Sequence, residues 1–122
     1  MNNFGHNIGP HVDAELAAGA AAQAQGQPEV AFTHLERAHV LGQASTRQHV
    51  RVHWCMFVWG LRQRRVRECL GQLFRIAGAA TMTAIGLVPH GNTGGANVSP
   101  FKPMPVPADL DDRIQQARAR RP

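Results

Sequence analysis

Histidines at helical spacing are the residues in this sequence best suited to bind a metal ion. Glu36 and His39 lie three positions apart, and His49 and His53 lie four positions apart. Both spacings place two side chains one turn apart on the same face of a helix. Glu-x-x-His is the spacing that helical di-iron proteins use, and imidazole and carboxylate groups bind transition metals. The pattern predicts one bound Zn²⁺, Fe²⁺, Mn²⁺ or Cu²⁺ ion with these four side chains as ligands.

Helical periodicity places the three histidines in the protein interior. At about 100° per residue, a helix over 29–42 puts His39 inside an apolar arc. A helix over 46–63 puts His49 and His53 in the middle of a largely apolar surface. A second interpretation stays open, in which these histidines and Glu36 form a buried hydrogen-bond network without a metal. His34 is expected at the rim. Three further side chains are candidates to complete the coordination: His11, Glu15 and His90.

The remaining carboxylates favour a single ion over a di-iron centre. Only one complete Glu-x-x-His motif is present, and Glu68 is predicted to face outward from the fourth helix. No serine or cysteine is paired with a base at a recognisable spacing, so the sequence predicts no catalytic residue and no reaction.

A glycine-rich segment, GNTGGANVS over residues 91–99, is a second candidate site. Successive glycines can form a nest of backbone N–H groups that holds an anion. The segment lacks the Lys-Ser/Thr and the following helix of a phosphate-binding loop. A tight turn satisfied by its own polar side chains is therefore the preferred interpretation, and the turn is also a candidate lid for the histidines.

Four helices are expected to position these residues. Proline and glycine punctuation and cap residues predict helices over 10–26, 28–42, 46–63 and 65–85. The fold prediction is an all-α four-helix bundle in one domain, residues 1–122. The predicted core face of the fourth helix comprises Val66, Cys69, Leu70, Leu73, Phe74, Ala77, Ala80 and Ala84. Its predicted outer face comprises Glu68, Gln72 and Arg75.

The segments outside these helices differ in character. Residues 1–9 are expected to be loosely held. Residues 86–108, rich in Gly and Pro but also apolar, predict an ordered strap across the bundle. Its expected anchors are Leu87, Val88, Val98, Phe101, Met104 and Val106, with Leu87, Val98 and Phe101 largely buried. Asp109 is predicted to cap a short terminal helix, and 118–122 to form a frayed basic tail.

The first two helices resemble a single tetratricopeptide-type hairpin. The small and apolar positions of that repeat are matched by Gly19, Gly26, Ala31, Leu35 and Ala38. The large aromatic positions are filled by Ala22 and Pro28, and no second copy follows. The resemblance implies an antiparallel helix pair rather than a peptide-binding solenoid.

The composition limits the classes of partner. The net charge is +5, and twelve of the thirteen basic residues are Arg. An Arg-rich elbow at 62–67 suggests the alternative function, a metal-free helical interaction module that docks an acidic protein partner. The charge excess falls short of a dedicated nucleic-acid binder. Cys55 and Cys69 are expected to be reduced. The absence of a signal-peptide pattern and of a membrane-spanning apolar run predicts a cytoplasmic protein.

Three stretches resemble a bacterial family known as domain of unknown function number 3703. They are AFTHLERAHVLGQASTRQHVRVHW, GQLFRIAGAATMTAIGLVP and GNTGGANVSPFKPMPVPADL. The resemblance implies a compact bacterial protein and supplies no established activity or ligand. The assignment of metal ligands therefore depends on helical geometry alone.

Overall fold

A computed structural model describes residues 3–83, 86 and 89–120 of the chain. Over these residues the fold is all-α, as predicted, with five helices. They are α1 (Phe4–Ala24), α2 (Pro28–Gly42), α3 (Thr46–Arg62), α4 (Val66–Met82) and α5 (Ala108–Ala119). The most extensive packing is between α1 and α2 and between α3 and α4. Helix α2 also packs on α3, and α5 lies against α1 and α2. The tetratricopeptide-like character of α1 and α2 stays a prediction.

Helix α1 begins six residues earlier than predicted, at Phe4 rather than at Pro10. Phe4, Ile8 and Val12 are buried at successive turns. Burial of this apolar stripe stabilises residues 4–9 as helix. The side chain of Asn7 also donates hydrogen bonds to the carbonyls of Ala117 and Arg120. Pro10 lies inside α1, where it has no N–H to donate to the His6 carbonyl. Pro10 therefore did not mark the start of the helix, and the expectation of a loose segment over residues 4–9 was wrong.

The elements that carry the histidines begin close to their predicted positions. Pro28 opens α2, and the Ser45 side chain accepts a hydrogen bond from the Gln48 backbone N–H at the start of α3. Both features satisfy or avoid unpaired N–H groups at a helix N-terminus. The buried faces of α2 and α3 contain Leu35 and Ala38, and Val52 and Met56, respectively, and they direct the histidines inward.

The face of α4 that points inward is the reverse of the predicted one. Its buried residues are Cys69, Gln72, Arg75 and Ala79. Cys69 was on the predicted core face, but six other residues of that face are exposed: Val66, Leu70, Leu73, Phe74, Ala77 and Ala80. The eighth, Ala84, lies outside the described residues. Burial of polar side chains is tolerated when they find hydrogen-bond partners. Gln72 accepts from His53 and donates to the Gly94 carbonyl, and Arg75 donates to the Val98 carbonyl.

The described part of the predicted strap, residues 89–107, is here called the strap. Hydrogen bonds connect it to itself and to the helices. The Asn92 side chain is 2% exposed and donates to the carbonyls of Ser99 and Lys102. Its Oδ1 accepts from the backbone N–H of Gly94. Phe101 is 67% exposed, so the prediction that it is buried was wrong. Val98 and Met104 are half-buried, and Val106 packs against the core. The predicted anchors Leu87 and Val88 lie outside the described residues.

The terminal helix also differs in detail from the prediction. The residue at its N-cap is Pro107, and Asp109 lies in the first turn. The Asp109 carboxylate forms an ion pair with Arg37 of α2. This ion pair, rather than a capping role, accounts for a charged residue at this position. Helix α5 runs through Arg118 and Ala119, which the sequence placed in a frayed tail. None of the helices in the described ranges is both long and apolar enough to cross a membrane.

Replacing Gly91 with Ala should destabilise the strap far more than replacing Gly26 with Ala. Both glycines have positive φ, +79° and +73°, so each substitution carries a backbone cost of about 1–2 kcal/mol. A Cβ on Gly91 would lie 1.9 Å from the Met104 carbonyl oxygen, whereas a Cβ on Gly26 would meet nothing within 4 Å. We expect Gly91→Ala to lower the free energy of unfolding by roughly 1–3 kcal/mol more than Gly26→Ala in urea denaturation. Equal losses would show that the strap does not pack as described.

Candidate metal centre

Three buried histidines from two helices meet at one point. Helix α2 supplies His39, and α3 supplies His49 and His53. The Nε2 atom of His39 lies 2.9 Å from Nε2 of His49 and 3.1 Å from Nε2 of His53. The exposed fractions of the three residues are 3%, 7% and 2%. These residues, here called the histidine triad, offer ligand atoms within 4.8 Å of one another.

The opposite ring nitrogen of each histidine contacts a hydrogen-bonding group of the protein. Nδ1 of His39 donates to the backbone carbonyl of Asn92 at 2.6 Å. Nδ1 of His53 donates to Oε1 of Gln72 at 2.6 Å. Nδ1 of His49 lies 2.5 Å from the hydroxyl oxygen of Thr83. Such partners fix the tautomer and orientation of an imidazole, as they do for histidines that bind metals.

The side-chain amide of Gln72 determines the protonation of His53. Its Nε2 donates to Oε1 of Glu68 at 2.8 Å and to the carbonyl of Gly94 at 2.9 Å. Both partners accept only, which places the amide oxygen toward His53. That oxygen can only accept, so Nδ1 of His53 carries hydrogen. The Asn92 carbonyl imposes the same tautomer on His39. In their neutral forms both rings therefore have an Nε2 lone pair directed at the same point.

The tautomer of His49 depends on the Thr83 hydroxyl. This hydroxyl lies 3.5 Å from the carbonyl oxygen of Gln43 and can donate to it. It then accepts from Nδ1 of His49, and the third Nε2 also carries a lone pair. In the opposite arrangement, Nε2 of His49 carries a hydrogen that it can donate to His39. The Nε2 lone pair of His53 is then still 3.1 Å from that of His39.

All three histidines are neutral at pH 7. Burial lowers the pKa of His49 to about 3 and that of His53 to about 4. Burial lowers the pKa of His39 well below its usual value, and the neighbouring charges of His53 and His49 lower it further. A proton is therefore not available to bridge the nitrogens, and neutral imidazoles are the form that binds metals.

The strap covers the histidine triad through Gly94. This residue has a φ of +83°, and a Cβ on it would lie 2.4 Å from Cδ2 of His39. Only glycine allows the backbone to approach the imidazole this closely. The glycine-rich segment therefore lies directly against the His39 ring, and its role as a lid stays a prediction.

The structure does not bring the other candidate ligands into this group. Glu36 is half-buried, and its carboxylate is hydrogen-bonded by Thr93; burial raises its pKa, and the charge of Glu68 adds to this effect. His11 is partly exposed on α1, and His90 is exposed on the strap. Among the described residues, the group of potential ligands around the triad contains the three histidines alone.

Glu15 is buried in a separate ionic cluster. Its carboxylate accepts from Arg37 at 3.0 Å, from Arg113 at 3.2 Å and from His34 at 2.8 Å. Burial raises the pKa of Glu15, but the hydrogen bonds from His34 and Arg37 outweigh burial and leave it below its usual value. Glu15 is therefore committed to joining α1, α2 and α5, and His34 lies at the rim as predicted.

Three residues that orient the triad were not predicted to do so: Gln72, Thr83 and Asn92. Gln72 was assigned to the outer face of α4 together with Glu68 and Arg75, so periodicity carried no signal for its inward direction. The Arg-rich elbow at 62–67 is mostly exposed, with Arg64 at a φ of 54°. Arg65 pairs with Glu29 and lies over the Trp59 ring. No contact among the described residues tests the prediction that this elbow docks an acidic protein partner.

The geometry defines a small helical protein with a buried three-histidine group. The chain belongs to the family described as Protein of unknown function (DUF3703), whose model matches residues 6–114. No curated protein matches the chain. No solved structure matches it either.

Proposed function

We propose that this protein binds one transition-metal ion through Nε2 of His39, His49 and His53. The observation that carries the proposal is the convergence of Nε2 atoms whose opposite nitrogens donate to Asn92 and Gln72. Two lone pairs facing each other at 3.1 Å repel unless a cation or a proton lies between them. The low pKa values of the triad argue against a proton.

A metal-free hydrogen-bond network satisfies this geometry less well. His49 can supply one N–H at Nε2, and that hydrogen can serve one of the two neighbouring lone pairs. At least one buried Nε2 then lacks a donor, at a cost of about 1–3 kcal/mol. A metal ion accepts all three lone pairs at once. This comparison favours the metal-bound state over the network.

The ligand set favours a borderline metal ion with an open coordination position. Three neutral imidazoles suit Zn²⁺, Cu²⁺ or Fe²⁺ better than Mg²⁺ or Ca²⁺, which prefer oxygen ligands. Three protein ligands leave a tetrahedral ion one position for water or another ligand, as in catalytic rather than structural zinc sites. We therefore propose a site with an exchangeable fourth ligand, in a protein that uses the ion for sensing, storage or catalysis.

Zinc should raise the melting temperature of the protein. A ligand at 100 times its dissociation constant stabilises the folded state by about 2.7 kcal/mol, which corresponds to a rise of roughly 10 °C for a chain of this size. Thermal unfolding of tag-free protein in EDTA, in excess Zn²⁺ and in excess Mg²⁺ measures the effect. Stabilisation by Zn²⁺ but not by Mg²⁺ is expected. No change with Zn²⁺, Fe²⁺ or Cu²⁺ would contradict the proposal.

A further inference from the structure

A cleft of about 250 Å³ connects the histidine triad with the surface. The buried histidines line its inner end. Its outer walls include the aromatic rings of Phe74 and Phe101 together with Pro89 and Pro100. Phe74 and Phe101 are 64% and 67% exposed, which is unusual for rings of this size. The cleft thus offers apolar walls to a ligand that also reaches the proposed open position on the metal.

Arg75 also lines this cleft, and its positive charge lacks an ion-pair partner among the described residues. Arg75 is 9% exposed, and its Nη2 donates to the Val98 carbonyl at 2.6 Å. Its Nη1 makes a longer bond of 3.4 Å to the Gly71 carbonyl. Its Nε is buried without any partner. A guanidinium has five N–H donors, so this side chain has unused donors as well as an unpaired charge.

The nearest carboxylate does not neutralise Arg75. Burial lowers the pKa of Arg75 below its usual value, and the charge of nearby Glu68 offsets only part of that shift. The Glu68 carboxylate accepts from the Ala96 backbone N–H and from Gln72. It is therefore engaged in orienting Gln72. A buried cation without a paired anion is costly and is a common feature of anion-binding sites.

We propose that the cleft binds a small organic carboxylate with an apolar body, whose carboxylate group lies between Arg75 and the metal ion of the histidine triad. This inference rests on the proposed function, because the metal supplies one of the two positive charges. A divalent ion held by three neutral histidines beside Arg75 leaves an excess of positive charge, which an anion would neutralise. The apolar walls distinguish this ligand from an inorganic anion, which would gain nothing from them.

The experiment compares three probes on protein saturated with Zn²⁺. Benzoate has the carboxylate and the apolar ring, benzyl alcohol has the ring without the charge, and acetate has the charge without the ring. Calorimetry should show benzoate binding at least about tenfold more tightly than either of the others, since charge-assisted hydrogen bonds and ring burial each contribute about that factor. Arg75→Gln should reduce the preference for benzoate over benzyl alcohol by about tenfold, and the charge of the bound Zn²⁺ accounts for what remains. Phe101→Ala, at an exposed position, should weaken benzoate binding and leave acetate unchanged.

The outcomes separate this inference from the proposed function. If Zn²⁺ binds in a 1:1 ratio but benzoate binds no better than benzyl alcohol, the ligand inference is overturned and the metal site stands. If Zn²⁺ does not bind, the same probes are applied to the metal-free protein. A preference for benzoate that depends on Arg75 then supports the anion cleft alone, and its absence overturns the cleft as well. Should Arg75→Gln fail to fold, an unchanged benzoate affinity in Phe101→Ala would overturn the inference.

Discussion

Replacing His53 with Ala is expected to abolish stoichiometric zinc binding, whereas replacing His34 with Ala should leave it intact. His53 contributes one of three converging Nε2 atoms and is 2% exposed. His34 points to the rim, where its Nδ1 contacts Glu15 at 2.8 Å. Changes to groups that merely orient a metal-binding histidine cost about 10–100-fold in affinity, so loss of a ligand should cost at least about 100-fold. Isothermal titration with Zn²⁺ measures both variants.

A second variant guards against loss of the fold. His53→Ala leaves the Gln72 amide oxygen without its donor, at a cost of about 1–3 kcal/mol. His53→Gln keeps a neutral, polar side chain of similar size but has no imidazole lone pair. We expect it to fold by circular dichroism and still to lose zinc. Equal zinc affinity in the wild type, His53→Gln and His34→Ala would rule out the triad as the binding site.

The metal-free protein should lose stability steeply as the pH falls from 7 to 5. In the unfolded chain each histidine has a pKa of about 6.5, whereas in the folded state the pKa of His49 is about 3 and that of His53 about 4. Between these values the unfolded state binds more protons, so the free energy of unfolding increases with pH and decreases on acidification. Each buried histidine should account for about 2 kcal/mol between pH 7 and 5, and His39 acts in the same direction.

Two carboxylates with shifted pKa values affect this dependence in different ways. The pKa of Glu15 is lowered in the folded state, so its contribution is lost only as the pH falls below about 4.5. The pKa of Glu36 is raised, so the folded state takes up a proton there more readily, which offsets part of the loss. Urea unfolding in EDTA at pH 7, 6 and 5 measures how the free energy of unfolding depends on pH. His53→Gln should reduce this dependence by about the contribution of one histidine. A free energy of unfolding that does not change over this range would contradict the buried, neutral triad.

Much of the candidate site followed from periodicity in the sequence. The 3.6-residue repeat directs His39 on one helix, and His49 and His53 on the next, toward a shared interior. The apolar residues on the same faces gave the rotation of each helix, and caps and prolines gave only its bounds. The triad could therefore be predicted from local rules, because every one of its members lies on a helix with a clear start.

The features that the sequence did not reveal depend on contacts between distant segments. Gln72 points inward because it accepts a hydrogen bond from His53, and Arg75 points inward because it donates to the Val98 carbonyl. A prediction from apolar periodicity places polar residues such as these on the outer face. Asn92 orders the strap through carbonyls seven and ten residues away. These partners are set by tertiary packing.

The position of Glu68 bears on how many ions the site can hold. Sequence periodicity placed it outward, yet it is half-buried and accepts hydrogen bonds from Gln72 and Ala96. Glu36 is likewise hydrogen-bonded to Thr93. Because both carboxylates are engaged by protein donors, the proposed ligand set stays with the three histidines and one ion. A di-iron centre would require carboxylates directed at the metals.

The most direct test of the metal proposal is the zinc content of tag-free protein after equilibrium dialysis. Protein without an affinity tag is stripped with EDTA, dialysed against micromolar Zn²⁺ at pH 7 and analysed by plasma emission spectroscopy. His34→Ala and His53→Gln are treated in parallel. We predict about one zinc ion per chain in the wild type and in His34→Ala, and close to none in His53→Gln. A wild-type chain that retains no more zinc than His53→Gln would contradict the proposed function.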